Sequence, residues 1–256
     1  MLKYTEERKL NNYKIIIEYV GFKYNGWQKQ GNTKNTIQGK FENILLELTG
    51  ENVEINASGR TDAGVHAKGQ VANFKTNKDY PCDYLKNYFN KYLPDDVKVL
   101  SVEKASDRFH ARLNAKTKTY EYKIANVEKA SVFEHKFSTF IEEKLDVGKM
   151  IKASVNFLGT HDFKAFCSNK RYKKSTVREI YDIDISVNDN IISVKIHGNG
   201  FLYNMVRIMV GTLVEVGLGK LKPEDIPEIL KSKDREKAGK SQRASVIYVG
   251  AAFEYS

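Results

Sequence analysis

Two hydrophobic periods succeed one another along this chain without settling into strict alternation, and that succession limits the folds open to it. Residues 13–20 (YKIIIEYV) are dense in β-branched and aromatic types and read as a strand. A polar, glycine-bearing loop follows over residues 21–32 and holds the single tryptophan, Trp27. Then Ile37, Phe41, Ile44, Leu45 and Leu48 recur at helical spacing, with Asn35 or Thr36 as N-cap and Gly50 as stop. Strand-like runs at 53–57 and 70–76 flank a loop at 58–68. Leu85, Tyr88, Phe89 and Tyr92 predict a second helix ended by Pro94, and further strands fall at 97–103 and 118–126. The second half has a comparable order. Asp146 caps a helix marked by Val147, Met150, Ile151 and Val155. Residues 177–187 and 190–197 form a hairpin turning at Asn188, Asp189 and Asn190, and 201–216 is a long apolar helix. Pro223 opens another helix at its first turn, and 246–254 is a closing strand. Strands and helices mixed without βαβ alternation predict an α+β fold with largely antiparallel sheets.

The 41% hydrophobic content of these 256 residues is enough for a sizeable core and excludes an intrinsically disordered chain. The two cysteines, Cys82 and Cys167, cannot build a disulfide framework or complete a four-sulfur zinc site. No apolar run reaches the roughly 18 residues of a membrane span, because Arg207 interrupts the best candidate at 205–216. The opening MLKYTEERKLNN is polar and lacks the apolar core of a signal peptide, so a cytoplasmic location is expected. Charge is more informative. The net charge is +10, with 21 basic and 15 acidic residues in 1–125 and 21 and 17 in 126–256, so the excess is spread through the folded body. Gathered on one face, such a surplus attracts a polyanion through phosphate contacts; scattered, it serves solubility.

The loop after the second strand reads Ser58-Gly59-Arg60-Thr61-Asp62-Ala63-Gly64-Val65-His66-Ala67. Its two glycines permit tight or left-handed backbone, and between them stand a guanidinium and a carboxylate two positions apart. An isolated Arg-x-Asp pair is ordinarily a polar turn with a local contact. The functional alternative is a rigid loop that holds an acid beside an arginine suited to phosphates or bases. Five scattered histidines without H-x-x-x-H spacing give no metal site, and His66 reads as structural.

Taken with its surroundings, GRTDAGVHA resembles the central motif of the TruA family of tRNA pseudouridine synthases. Ordered matches run through nearly the whole chain. Tyr24-x-Gly26-Trp27-Gln28-x-Gln30 resembles the family's YSGWQ-type loop, and Thr36-Ile37-Gln38 the helix start after it. Phe109-His110-Ala111-Arg112 and Tyr120-Glu121-Tyr122 resemble its F-x-A-R and Y-x-Y segments. Residues 157–163 (FLGTHDF) resemble F-x-G-x-H-D-F, and 200–207 (GFLYNMVR) the G-F-x-x-x-M-V-R helix start. The resemblance implies two ferredoxin-like halves forming an extended antiparallel sheet with helices packed on it. Residues 1–105 would carry Asp62 and residues 106–256 would carry Tyr120 and Arg207, with a basic active-site cleft between the halves. It further implies a homodimer, no metal or organic cofactor, and isomerisation of uridine to pseudouridine at positions 38 to 40 of the tRNA anticodon stem-loop.

By the same resemblance Asp62 is the catalytic carboxylate, and Arg207 pairs with it. Tyr120 stacks on the uracil and assists loss of the C5 proton. Arg60 fills the space left by the extruded nucleotide, an extrusion that costs least where the base already lies in a loop. The chemistry suits a carboxylate. It can attack the electron-poor sugar carbon as in retaining glycosidases, or remove a sugar proton and lead through a glycal; both routes remain open. The 170–174 run (KRYKK) offers phosphate contacts and one aromatic ring, although such runs are commonly solvated surface. One segment departs from the family pattern. Where A-G-x-T-A-P-A-x-G-L is usual, residues 238–247 read AGKSQRASVI, with Arg243 in place of proline and Val246 in place of glycine. Those changes alter the backbone angles open to the loop. Two alternatives therefore accompany the main expectation: the same isomerisation on another RNA such as ribosomal RNA, and an RNA-binding protein without catalysis.

Overall fold

The first strand, β1 (Asn11–Tyr19), opens the fold in a computed structural model that describes residues 10–128, 137–242 and 246–253. Residues 1–9 of the polar opening and Arg243–Ser245 of the atypical segment lie outside the described residues. Two compact units divide the chain. One runs to Ala115 and includes Phe253, and the other covers Lys116–Ala252.

In the first unit β1 is followed by α1 (Ile37–Thr49), β2 (Ile55–Ala57), β3 (His66–Thr76), α2 (Cys82–Tyr92) and β4 (Val97–Lys104). The strands stand in the order β4-β1-β3-β2, each pair antiparallel. A β-α-β-β-α-β succession in that order is the ferredoxin-like split βαβ. Successive side chains of a strand point to opposite faces, so Tyr13, Ile15 and Ile17 share one face of β1, and all three are fully buried. There Tyr13 stacks on Phe74 at 5.3 Å, and Phe89 lies edge-on to Phe74 and tilted against Phe41, which brings both helices onto the sheet. Thr36 caps α1 by accepting from the Gly39 N–H at 3.2 Å, and Gly50 ends it at φ 72°, as expected.

The second unit contains β5 (Ala115–Asn126), β6 (Thr139–Ile141), α3 (Val147–Ser154), β7 (Gly159–Asp162), β8 (Val177–Asn188), β9 (Ile191–Gly198), α4 (Met205–Gly217), α5 (Asp225–Ser232) and β10 (Val246–Phe253). Its sheet runs β10-β5-β9-β8-β7, with β6 parallel to β5. Without β6, β7 and α5, the succession β5-α3-β8-β9-α4-β10 reproduces the connectivity and strand order of the first unit. The fold is α+β, as the mixed periodicities predict. α4 is the buried spine of this unit, and Gly217 near its end lets Met150 of α3 approach closely.

Among the boundaries that differ from the sequence reading, three stand out. The long helix starts at Met205 rather than Phe201, because Asn204 takes a left-handed conformation (φ 60°) that cannot continue a helix backwards. Pro223 precedes α5 by two residues, its carbonyl accepting from the Ile226 N–H. β3 begins at His66, which shortens the acidic loop to residues 58–65.

Candidate active site

The loop over residues 58–65 is held by a buried polar cluster from β1 and β3. Gln70, fully buried in β3, accepts from the Ser58 hydroxyl at 2.9 Å and donates to the Gly59 carbonyl at 2.7 Å. The Tyr19 hydroxyl of β1 meets Thr61 Oγ1 at 2.7 Å. Burial pushes the Tyr19 phenol up to about 12, which keeps it protonated in this pair. From the other side, the Trp27 N–H donates to the Thr61 carbonyl at 2.9 Å. Gly26 makes that approach possible: its φ is 88°, and a Cβ there would lie 2.6 Å from the Thr61 carbonyl oxygen. The loop closes in a turn in which the Val65 N–H donates to the Asp62 carbonyl, and His66 Nδ1 accepts from the Gly21 N–H at 3.0 Å. Burial lowers His66 to about 4, so the ring is neutral at physiological pH and serves as that acceptor. The result is a fixed backbone with Thr61 buried, Asp62 half-buried and Arg60 exposed.

Tyr120 and Arg207 belong to the second unit. Tyr120 sits on β5 opposite Ile196 of β9, half-buried, with Phe201 edge-on at 5.1 Å and 83°. Arg207 stands in the first turn of α4. Its Nε donates to the Gln242 carbonyl at 2.6 Å and its Nη1 to Asn204 Oδ1 at 3.1 Å. The Gln242 N–H returns a bond to the Arg207 carbonyl, so residues 238–242 form a strap over the helix. The strap needs small residues. A Cβ on Gly211 would fall 1.8 Å from the Lys240 carbonyl oxygen, and one on Gly239 would fall 2.6 Å from the Thr212 backbone. Ala238 and Gly239 keep the family pattern, and here they fit against α4.

Asp62 and Arg60 thus share one braced loop of the first unit, and Tyr120 and Arg207 stand on β5 and α4 of the second. The sequence reading missed Tyr19, Gln70 and Thr61 as holders of the loop and Asn204 as the partner of Arg207. Gln70 is one of several polar residues in β3, and only its burial in the structure marks it as needing partners.

Comparison with known proteins settles the family. A family model described as tRNA pseudouridine synthase matches residues 15–114 and 153–249, well over half of the chain. The chain belongs to the tRNA pseudouridine synthase family. It is 50% identical over 244 residues to tRNA pseudouridine synthase A of Bacillus sp. (strain KSM-64), covering 95% of this chain and all of that one. It is 46% identical over 240 residues to tRNA pseudouridine synthase A 2 of Bacillus anthracis, covering 94% and 98%. It is 45% identical over 240 residues to tRNA pseudouridine synthase A of Acetivibrio thermocellus, again covering 94% and 98%. The protein is accordingly an isomerase that converts uridine to pseudouridine, with tRNA as its substrate. No helix among the described residues is long and apolar enough to cross a membrane.

Proposed function

We propose that this enzyme modifies uridines 38 to 40 of the tRNA anticodon stem-loop as a cytoplasmic homodimer, with Asp62 as the catalytic carboxylate and Tyr120, Arg60 and Arg207 binding the substrate. In the reaction the N1–C1′ bond breaks and a C5–C1′ bond forms; N1 gains a proton and C5 loses one. A carboxylate able to act on the sugar carbon or its neighbouring proton must be held still while the base is turned over, because misplacement weakens both kinds of attack. The observation that carries the reading is the bracing of Thr61, which is bonded through its side chain to Tyr19 and through its carbonyl to Trp27 while its neighbour Asp62 remains partly accessible. Arg60, exposed on the same loop, suits the gap left by an extruded nucleotide. Tyr120 presents an aromatic face for a uracil, and Arg207 a guanidinium oriented by Asn204 and Gln242.

The test is tritium release from tRNA labelled at uridine C5, run beside filter binding over a range of salt. Asp62→Ala and Asp62→Asn are expected to release no tritium yet bind tRNA with nearly unchanged affinity and salt slope, because that slope counts neutralised phosphates. Turnover by either variant would remove Asp62 from the chemistry. Carbodiimide mapping of tRNA from deletion cells checks the target, with loss expected at positions 38 to 40, and sedimentation of the purified enzyme checks the dimer.

A further inference from the structure

The second unit carries a pocket of about 470 Å³ separate from the Arg207 helix start, walled by the 162–176 segment on one side and residues 233–236 on the other. Five cationic side chains line it (Lys164, Lys170, Lys174, Lys233 and Arg235), against three carboxylates. The cations differ in how far they are already engaged. Lys233, held in a left-handed conformation at the end of α5, pairs with Asp162 at 2.8 Å and ties the two walls together. Arg235 donates to the Ala238 carbonyl at 3.1 Å. Of the carboxylates, Asp162 also accepts from Thr176 at 2.5 Å and from the Lys164 N–H, and Asp234 accepts from the Glu236 N–H. Burial raises the Asp162 carboxyl, but these donors outweigh it and hold the group below its ordinary value, so it stays ionised and committed to Lys233. Lys164, Lys170 and Lys174 make no ion pair among the described residues, and all three are exposed around the pocket.

The wall that presents these lysines is built rather than loose. Asn169 closes a turn by accepting from the Arg171 N–H on its side chain and from the Tyr172 N–H on its carbonyl. Arg178 reaches back to the Tyr172 hydroxyl at 3.2 Å and to the Ser175 carbonyl at 3.0 Å. Tyr172 is half-buried and is one of the residues that line the pocket. Ser168 accepts from Asn204 Nδ2 at 2.8 Å, which joins this wall to the residue that orients Arg207. Three unpaired ammonium groups around a concave, braced surface match a phosphodiester, a singly charged anion with exposed oxygens.

We infer that this pocket takes a backbone phosphate of the tRNA, with Lys164, Lys170 and Lys174 as its cations and Tyr172 in its lining. The assignment rests on tRNA being the substrate and is independent of which residue performs the chemistry.

The test compares the full-length Lys164→Gln/Lys170→Gln/Lys174→Gln variant with one of equal charge loss elsewhere on the same unit, Lys152→Gln/Lys220→Gln/Lys231→Gln. Losing one phosphate contact lowers the salt slope of tRNA binding by about 0.7–0.9 and, at 0.15 M salt, weakens binding about five-fold. The pocket variant is expected to show both changes, and the control variant to stay close to wild type in both. A Lys→Arg triple at the pocket keeps the charge and should keep the slope, which guards against a folding defect. Unchanged slope in the pocket variant, or an equal loss in the control, overturns the assignment. A titration with inorganic phosphate separates the remaining source: tight phosphate binding at these lysines with unaltered tRNA binding would make the pocket a free-anion site and refute the RNA reading. Failure of tritium release in the wild-type enzyme would instead count against the modification target, so the two failures are distinguishable.

Discussion

Tyr19→Phe tests the central physical claim, that a buried hydroxyl pair fixes the loop bearing Asp62. The substitution removes one oxygen and keeps the ring between its neighbours, so its effect is confined to hydrogen bonding. Thr61 Oγ1, on a residue only 5% exposed, loses its 2.7 Å partner. Gln70 is little affected, because its bond to the Gly59 carbonyl at 2.7 Å remains and its contact with Tyr19 is long at 3.5 Å. Stranding one buried hydroxyl costs about 1–3 kcal/mol. Thr61→Val alone strands the Tyr19 hydroxyl and should cost a similar amount. The double variant removes both polar atoms, and pairs of that kind can be nearly neutral, so the cycle should return a coupling of about 1 kcal/mol or more. Because Thr61 is covalently next to Asp62, the same loosening should reach catalysis: kcat is expected to fall roughly ten-fold, equivalent to about 1.4 kcal/mol, with KM for tRNA little changed. Urea unfolding of the four proteins gives the coupling, and single-turnover tritium release gives the rate. Additive single effects, within about 0.5 kcal/mol, would refute the brace. A normal rate in a demonstrably destabilised variant would show that the brace serves folding alone.

Two further expectations follow from the same clusters. His66 has a folded value near 4 against an ordinary 6.5, so its contribution to stability is complete above pH 6.5 and is lost as pH falls toward 4, by at most about 3 kcal/mol; His66→Gln should flatten that acid limb in denaturation measured from pH 7 to 4, and an unaltered limb would contradict the assignment. Gly211→Ala should destabilise by about 2–3 kcal/mol by driving its methyl into the Lys240 carbonyl, whereas Gly219→Ala, at φ 73° in open space, should cost only about 1 kcal/mol of backbone strain; equal losses in calorimetry would mean that the strap yields freely.

Much of the fold was legible because its elements carry strong local signals. The β-branched and aromatic run of β1, the Thr36 cap and Gly50 stop of α1, and the Asp146 cap of α3 are decided within a few residues of sequence, and each forms where expected. What was not legible depends on distant partners. The start of α4 turns on Asn204, whose left-handed backbone is accompanied by bonds to Ser168 and Arg207, and apolar periodicity does not report those contacts. β7 is four residues long with little burial and gains its identity only from pairing with β8. At the site, the motif marked the loop and its Arg60 and Asp62. The residues that hold it, Tyr19 and Gln70, lie 42 and 9 positions from Thr61 and looked like ordinary strand members.

The two units differ at one connection of a repeated architecture. Their strand orders, β4-β1-β3-β2 and β10-β5-β9-β8, are the same path drawn by sequences with little visible likeness. In the first unit the connection from β2 to β3 is the braced 58–65 loop. In the second unit the equivalent connection, from β8 to β9, is a tight turn at Asp189 and Asn190, with Asp189 at φ 52°. A two-residue turn has no room to present a carboxylate on an independently held backbone. β2 pairs only with Ala72, Asn73 and Phe74, so the loop must also reach back along β3 to His66, roughly 20 Å from that pairing. The loop's cost in ordering is offset by the buried bonds of Ser58, Gly59 and Thr61 to Gln70 and Tyr19. The loop is anchored more firmly than an exposed connection ordinarily is, and the role proposed for Asp62 depends on that anchoring.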